Sequence, residues 1–159
     1  MSMGYLGEGG DSGTRSRRVL ARAKLTLSLR VLGRRPDGFH DLDALVVSLE
    51  DPHDVLGICL HPTAETFLWP LSGRAAAGVP AGADNLAVRA ARRILEVAGD
   101  GGGAFAGAGL EILLHKEIPA GAGLGGGSAD AAATLVAGDR LLDLELEPAA
   151  LRALAAELG

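Results

Sequence analysis

An α+β fold is predicted from three features: strict apolar alternation near the start, apolar residues at helical spacing in the second half, and no repeating strand–helix unit. Residues 1–18 are rich in Gly, Ser and Arg, with no apolar stretch ahead of a cleavage site. They read as a disordered N-terminal extension carrying no secretion signal. From Val19 apolar residues take every second position, Val19, Ala21, Ala23, Leu25, Leu27, Leu29 and Val31, against Arg22, Lys24, Thr26, Ser28 and Arg30. That pattern predicts a long strand buried on one face. Gly33-Arg34-Arg35-Pro36-Asp37-Gly38 supplies turn residues, so the chain reverses there. Leu42–Leu49 and Val55–Leu60 then read as two strands in a hairpin-like arrangement, joined by Glu50–Asp54 with Pro52 in the connection.

Residues 61–83 have little periodicity and predict a strand fragment around Phe67–Leu71 followed by loop. Asp84 opens a helix with Ala87, Ala90, Ala91, Ile94 and Ala98 on its inner face, and Gly99 ends it. Leu110–His115 is a short strand. Ser128–Leu142 is a helix whose Ala129, Ala131, Ala132 and Ala133 permit close packing, and Pro148 begins a last helix with Leu151, Leu154 and Leu158 at helical spacing. The expected architecture is a β-sheet with helices packed on it.

Composition narrows the function. Hydrophobic residues are 48% and charged residues 22% of the 159, the balance of a globular domain. No apolar run approaches the roughly 18 residues that span a bilayer, so no membrane partner is expected. A net charge of −5 argues against a nucleic-acid partner, which needs basic residues to neutralise phosphates. The single Cys59 excludes a disulfide framework and a cysteine zinc site. It reads as a buried structural thiol in a reducing, cytoplasmic protein. His53, His61 and His115 lack ligand-like spacing and are assigned to surface or strand positions. A small-molecule partner remains, and the sequence does not give the oligomeric state.

The 24 glycines are the compositional excess, and they fall into two clusters of different meaning. Residues 99–109 hold six glycines without fixed spacing and read as a linker between a helix and a strand. Pro119-Ala-Gly-Ala-Gly-Leu-Gly-Gly-Gly-Ser-Ala-Asp130 lies instead directly before a helix. Glycines there let successive backbone N–H groups face one point, and the helix end adds about half a positive charge, a natural seat for a triphosphate. A Walker A loop fails for want of a Gly-Lys-Ser/Thr ending. Gly121-x-Gly123-x-x-Gly126 matches the dinucleotide pattern, but two helices follow where that fold needs a strand with an acidic residue. A protein-kinase glycine loop would lie between two strands near the chain start.

The segment Pro119–Asp130 resembles the phosphate-binding motif of the GHMP small-molecule kinases, which include galactokinase, homoserine kinase and mevalonate kinase. Three further segments, Ala23-Lys24-Leu25-Thr26-Leu27, Arg34-Arg35-Pro36-Asp37-Gly38-Phe39-His40 and Asp84-Asn85-Leu86-Ala87-Val88-Arg89-Ala90, narrow the resemblance. They are similar, in the same order, to the branch that phosphorylates a cytidine-diphosphate-linked methylerythritol in non-mevalonate isoprenoid biosynthesis. The resemblance implies an N-terminal ATP-binding domain over 19–159, of the ribosomal protein S5 domain 2-like type. It also implies ATP and Mg2+, the metal with no ligand assigned, and transfer of the γ-phosphate to the substrate 2-hydroxyl. By the same resemblance Lys24 is the catalytic residue that orients or polarises that hydroxyl. Pro119, Gly121, Gly123, Leu124, Gly125, Gly126, Gly127 and Ser128 hold ATP. Asn85 matches the region that reads adenine, with a helix cap as its alternative. Ser128 either reaches the metal or a phosphate, or caps its helix. Asp130 reads as a helix-start acid that favours the dipole. His40 matches the histidine at the cytosine edge, and Phe39 stands where a tyrosine usually stacks on the base.

The sequence departs from that pattern twice. Thr26 replaces the usual asparagine, which leaves the substrate contact there open. The family's Leu-Gly-(Ser/Ala)-Asp-Val-Pro motif, whose aspartate is the proposed general base, is not reached: the chain reads Ala155-Ala156-Glu157-Leu158-Gly159. The expectation is therefore the N-terminal part of a longer kinase, without its C-terminal domain and inert or nearly so in isolation. Two other readings are another GHMP kinase, such as homoserine or mevalonate kinase, and a relic that binds nucleotide without turnover. Gly38-Phe39-His40 speaks against the first, because those substrates carry no base to recognise.

Overall fold

The computed structural model describes residues 15–62, 65–99 and 105–158. Four strands, β1 (Ser16–Arg34), β2 (His40–His61), β3 (Phe67–Ser72) and β4 (Gly109–His115), form one sheet in the order β1-β2-β4-β3. The β1–β2 and β2–β4 pairs are antiparallel and β3 lies parallel to β4. Three helices, α1 (Leu86–Gly99), α2 (Gly126–Leu141) and α3 (Pro148–Leu158), complete the α+β arrangement expected from the sequence.

Register decides which side chains meet. Val19 pairs with Leu56 and Ala21 with Asp54, Leu56 with Leu114, Ile58 with Ile112, and Leu60 with Leu110. Paired residues share a face of the sheet, so these positions form one apolar surface interrupted by a single carboxylate, Asp54. Ala87, Ala90, Ala91 and Ile94 of α1 and Ala131, Leu135, Ala137 and Leu141 of α2 pack against it as one core. The small inner residues of α1 are what let it approach the other helix closely. A Cβ on Gly138 would lie 2.7 Å from Ile94 Cγ2, so the α1–α2 contact has no room for a methyl group. Gly138→Ala is expected to lower the unfolding free energy by about 1–2 kcal/mol in urea titration, because overpacking outweighs the gain in helix propensity. An unchanged or raised midpoint would show that Ile94 yields freely.

Three expectations are corrected. Leu42–Leu49 and Val55–Leu60 are not two strands in a hairpin-like arrangement but parts of the continuous β2, because β1 is long enough to pair with both. Arg22 faces His53 and Lys24 faces Ser48, so residues 49–52 bulge opposite Ala23. Pro52, which has no N–H to donate, is accommodated in that bulge. The long strand is also not half-buried throughout: Ala21 and Ala23 are 2% and 0% exposed, whereas Leu27 and Leu29 are 56% and 58% exposed. Alternation marks a face able to be buried, and the helices cover only the first part of it. Finally, Asn85 rather than Asp84 caps α1, its Oδ1 accepting the Ala87 N–H at 2.9 Å.

Smaller differences lie at the ends of elements. β1 begins at Ser16, where Ser16–Arg18 pair with Cys59–Gly57, while residues 1–14 of the expected extension fall outside the described residues. α2 starts at Gly126, two residues ahead of Ser128. Of the expected linker 99–109, residues 100–104 lie outside the described set, and Phe105 packs half-buried against the core. Cys59 is buried as expected, and burial, with Glu111 nearby, pushes its thiol upward. Among the described residues no helix is long and apolar enough to cross a membrane.

Candidate functional site

The second glycine cluster connects β4 to α2 and lies alongside β1. Gly121, Gly123 and Gly125 have φ of 73°, 74° and 72°, a left-handed conformation that residues with a Cβ rarely adopt. The alternation turns the backbone sharply at every second residue, and the side chains between these glycines are only Ala122 and Leu124. Gly125 is the N-cap of α2 and supplies no side-chain hydrogen bond, and the first helical bond runs from Ala129 N–H to the Gly125 carbonyl at 2.9 Å. The amides of Gly126, Gly127 and Ser128 therefore sit at the positive end of a 16-residue helix with no capping side chain in front of them. Ser128 stands exposed within the first turn, so its capping alternative is excluded by position.

Lys24 joins the loop through both main chain and side chain. Its N–H donates to the Leu124 carbonyl at 2.9 Å. Its aliphatic stem lies over Gly125, where a Cβ would come within 3.0 Å of Lys24 Cγ. The ammonium then donates to Thr26 Oγ1 at 2.9 Å, so the threonine hydroxyl aims it along β1. A cation held on a strand beside an anion-binding helix end can both neutralise a transferring phosphate and polarise an acceptor hydroxyl. Lys24, Thr26, Leu124 and Gly125 are thus brought together.

The remaining expected residues lie elsewhere. Pro119 is exposed at the start of the loop. Asn85 is buried, with Oδ1 accepting from Ala87 and Nδ2 donating to the Pro80 carbonyl at 2.7 Å, so its cap role is realised at the start of α1. Phe39 and His40 are at the far end of the β1–β2 pair, where Arg34 faces His40. Phe39 is 72% exposed, its N–H held by Asp37 Oδ1 at 3.1 Å and its carbonyl by the Arg35 N–H at 2.7 Å. An open aromatic face on a hydrogen-bonded turn is able to stack on a planar ring. His61 and His115 make local pairs, with Glu111 at 2.9 Å and with Ser72 Oγ at 3.0 Å. Among the described residues no group of His, Cys, Asp or Glu is placed to hold a metal ion, so no chelating site is assigned.

One cluster escaped the sequence reading altogether. Lys116, just past β4, is 2% exposed, and its ammonium is paired with Asp54 of β2 and, at 2.9 Å, with Asp130 of α2. Asp54 Oδ1 also accepts the Glu117 and Ile118 N–H groups at 2.6 and 2.8 Å. Asp130 is therefore no surface acid at the helix start: it faces inward, and among the described residues its Oδ1 is buried without a hydrogen-bond partner. Burial, with Asp54 close by and Lys116 opposing, pushes its carboxyl up to about 7. No local pattern in the sequence signals the three residues, which stand 62 and 14 positions apart.

Residues 85–159 match the sequence model of the GHMP kinases N terminal domain. The chain is 46% identical over 139 residues to the 4-diphosphocytidyl-2-C-methyl-D-erythritol kinase of Rhodospirillum rubrum, covering 87% of this chain and 42% of that protein. It is 46% identical over 144 residues to the enzyme of the same name from Methylococcus capsulatus, covering 91% and 45%. Among solved structures, a 4-(cytidine 5'-diphospho)-2C-methyl-D-erythritol kinase superposes with a TM-score of 0.62 at 40% identity over 90% of this chain and 46% of that one. A homoserine kinase from Cytophaga hutchinsonii gives 0.65 at 25% identity over 96% and 43%. The chain spans less than half the length of these relatives.

Proposed function

We propose that the chain is the N-terminal part of a GHMP kinase, that it binds ATP at Pro119–Ser128, and that it serves γ-phosphate transfer to the 2-hydroxyl of 4-diphosphocytidyl-2-C-methyl-D-erythritol; the match of residues 85–159 to the GHMP kinases N terminal domain supports the reading. The observation that carries the reading is the junction of Lys24 with the glycine loop. An ammonium aimed by Thr26 stands beside an uncapped helix N-terminus, the two charges that phosphoryl transfer needs. Backbone amides of Gly126–Ser128 receive phosphate oxygens, and Lys24 orients the acceptor hydroxyl. Phe39 and His40 take the cytosine, by stacking and at its polar edge. Asn85 would serve the adenine side by fixing the start of α1, since both ends of its amide are bonded within the chain, and Thr26 acts on the substrate through Lys24. Mg2+ would accompany ATP and be held chiefly by the phosphates, with the exposed Ser128 hydroxyl available to the metal or to a phosphate.

Fold similarity alone favours no member of the family, since the homoserine kinase superposes as well as the cytidyl kinase. Sequence identity of 40–46% against 25%, and the exposed Phe39–His40 turn, support the cytidyl substrate. A cytoplasmic setting agrees with the lone buried thiol of Cys59.

The test is transfer of labelled γ-phosphate to 4-diphosphocytidyl-2-C-methyl-D-erythritol, with homoserine and mevalonate as competitors. Lys24→Met is expected to lower kcat about 100-fold, the size of losing one charge aimed at the transition state. ATP affinity by titration calorimetry should stay within about twofold, because the ammonium faces Thr26 rather than the loop amides. Preferred phosphorylation of a competitor would overturn the substrate assignment. ATP binding by both proteins without any transfer would mark a nucleotide-binding module instead.

A further inference from the structure

We propose that Asp54, on β2 and remote in sequence from the glycine loop, is a positioning residue that holds the loop in its binding shape before any nucleotide arrives. The proposal deepens the nucleotide-binding reading of Pro119–Ser128 and rests on it for its functional meaning.

The loop cannot hold its own shape. It has no side chain able to brace it between Gly121 and Gly127 except Leu124, and the space around Gly121 and Gly123 is open. Ordering each such residue costs on the order of 1–2 kcal/mol, so rigidity has to come from the flanks. The structure supplies it on three sides. Before the loop, Asp54 Oδ1 takes the Glu117 and Ile118 amides. Behind it, Asp54 Oδ2 pairs with Lys116, whose ammonium passes beneath Gly126 and reaches Asp130 in α2. A Cβ on Gly126 would lie 2.8 Å from Lys116 Nζ and 2.8 Å from Ile118 Cγ2, so the helix start rests directly on this cluster. In front, Leu124 is fixed by the Lys24 N–H.

Asp54 is the common node, since among the described residues it alone bonds both the segment that leads into the loop and the lysine that reaches the helix leading out. Its carboxylate is 0% exposed, and its three donors come from consecutive residues, Lys116, Glu117 and Ile118. Lys116 is itself held by its backbone, with N–H to the Ser72 carbonyl at 2.7 Å and carbonyl to the Ala75 N–H at 3.0 Å, so the cluster is anchored to the β3 end as well. A loop shaped in advance loses less entropy on binding and gains affinity accordingly.

Asp54→Asn tests the assignment in the full chain. Asparagine keeps the volume and an acceptor for the two amides but turns an N–H donor toward the Lys116 ammonium. In the protein without ligand, amide hydrogen exchange of residues 120–128 is expected to quicken about tenfold or more, the loss of one charged hydrogen bond, while Leu110–Leu114 of β4 stay unchanged. MgATP affinity falls by about tenfold with it, and cytidine diphosphate affinity holds. Asp54→Glu, which keeps the charge and moves the carboxylate by one methylene, should recover part of the protection; it is read in the same way if Asp54→Asn does not fold. Equal exchange in variant and wild type, or quickening in the loop and β4 by the same factor, overturns the proposal. Failure of the wild type to bind MgATP overturns the nucleotide reading separately, since the exchange comparison needs no ligand.

Discussion

Lys116→Met is expected to lower the unfolding free energy by about 3–5 kcal/mol at neutral pH, the cost of stranding buried charge. Methionine matches the length of the stem and fills the same space, so packing is largely kept. The charge is what disappears. Asp54 and Asp130 then face each other across the vacated position, both at or below 3% exposure, with no cation between them. Urea titration at pH 7 measures the loss, and part of it should return at pH 5, where Asp130, whose carboxyl is pushed up to about 7, holds a proton. A loss below about 1 kcal/mol would be the size of a surface ion pair and would show that the cluster is hydrated.

The second large effect is the pH dependence of stability attached to Asp130. Its carboxyl is pushed up to about 7 from 3.8, chiefly by burial, so between those values the folded chain holds a proton that the unfolded chain releases. Stability therefore falls as pH rises from about 4 to about 7, and the full loss is present above that range. A displacement of this size corresponds to about 4 kcal/mol. Asp130→Asn carries no proton to lose and should flatten that part of the profile in urea titrations from pH 4 to 8. Glu117 and Glu157 act in the opposite sense: hydrogen bonds from Arg74 and from Arg93 hold them below their ordinary values. They are common to both proteins and cancel in the difference. Parallel profiles for wild type and variant would mean that Asp130 is ionised throughout.

What the sequence made legible were features written in local pattern. The Gly121–Gly127 run before a helix, the turn at Gly33–Gly38 and the alternation through Lys24 each rest on neighbouring residues, and each stands where expected. The resemblance implied that Lys24 and the loop serve one reaction but not the bond between Lys24 and Leu124, because a backbone bond across 100 positions leaves no trace in composition. Asp54 reads in isolation as the end of a polar connection, and Lys116 falls just past the expected strand Leu110–His115. Both become core residues because β2 runs on without a break and places position 54 on the apolar face. The same continuity explains the misjudged burial of Leu25, Leu27 and Leu29: period two identifies a face, and only the third dimension says what covers it.

The bond from the Lys24 amide to the Leu124 carbonyl has a mechanical meaning. β1 is an edge strand, and one of its outward rungs is taken by the loop rather than by another strand. Strand and loop therefore travel as one rigid part, and the spacing between the ammonium and the helix end is set by main-chain atoms. Every residue other than proline carries that donor, and every residue carries that acceptor. The gauge of the site is thus independent of side-chain identity at either of its two contact points, and the lysine and the threonine beside it are free to be tuned for their acceptor without disturbing the distance to the phosphates.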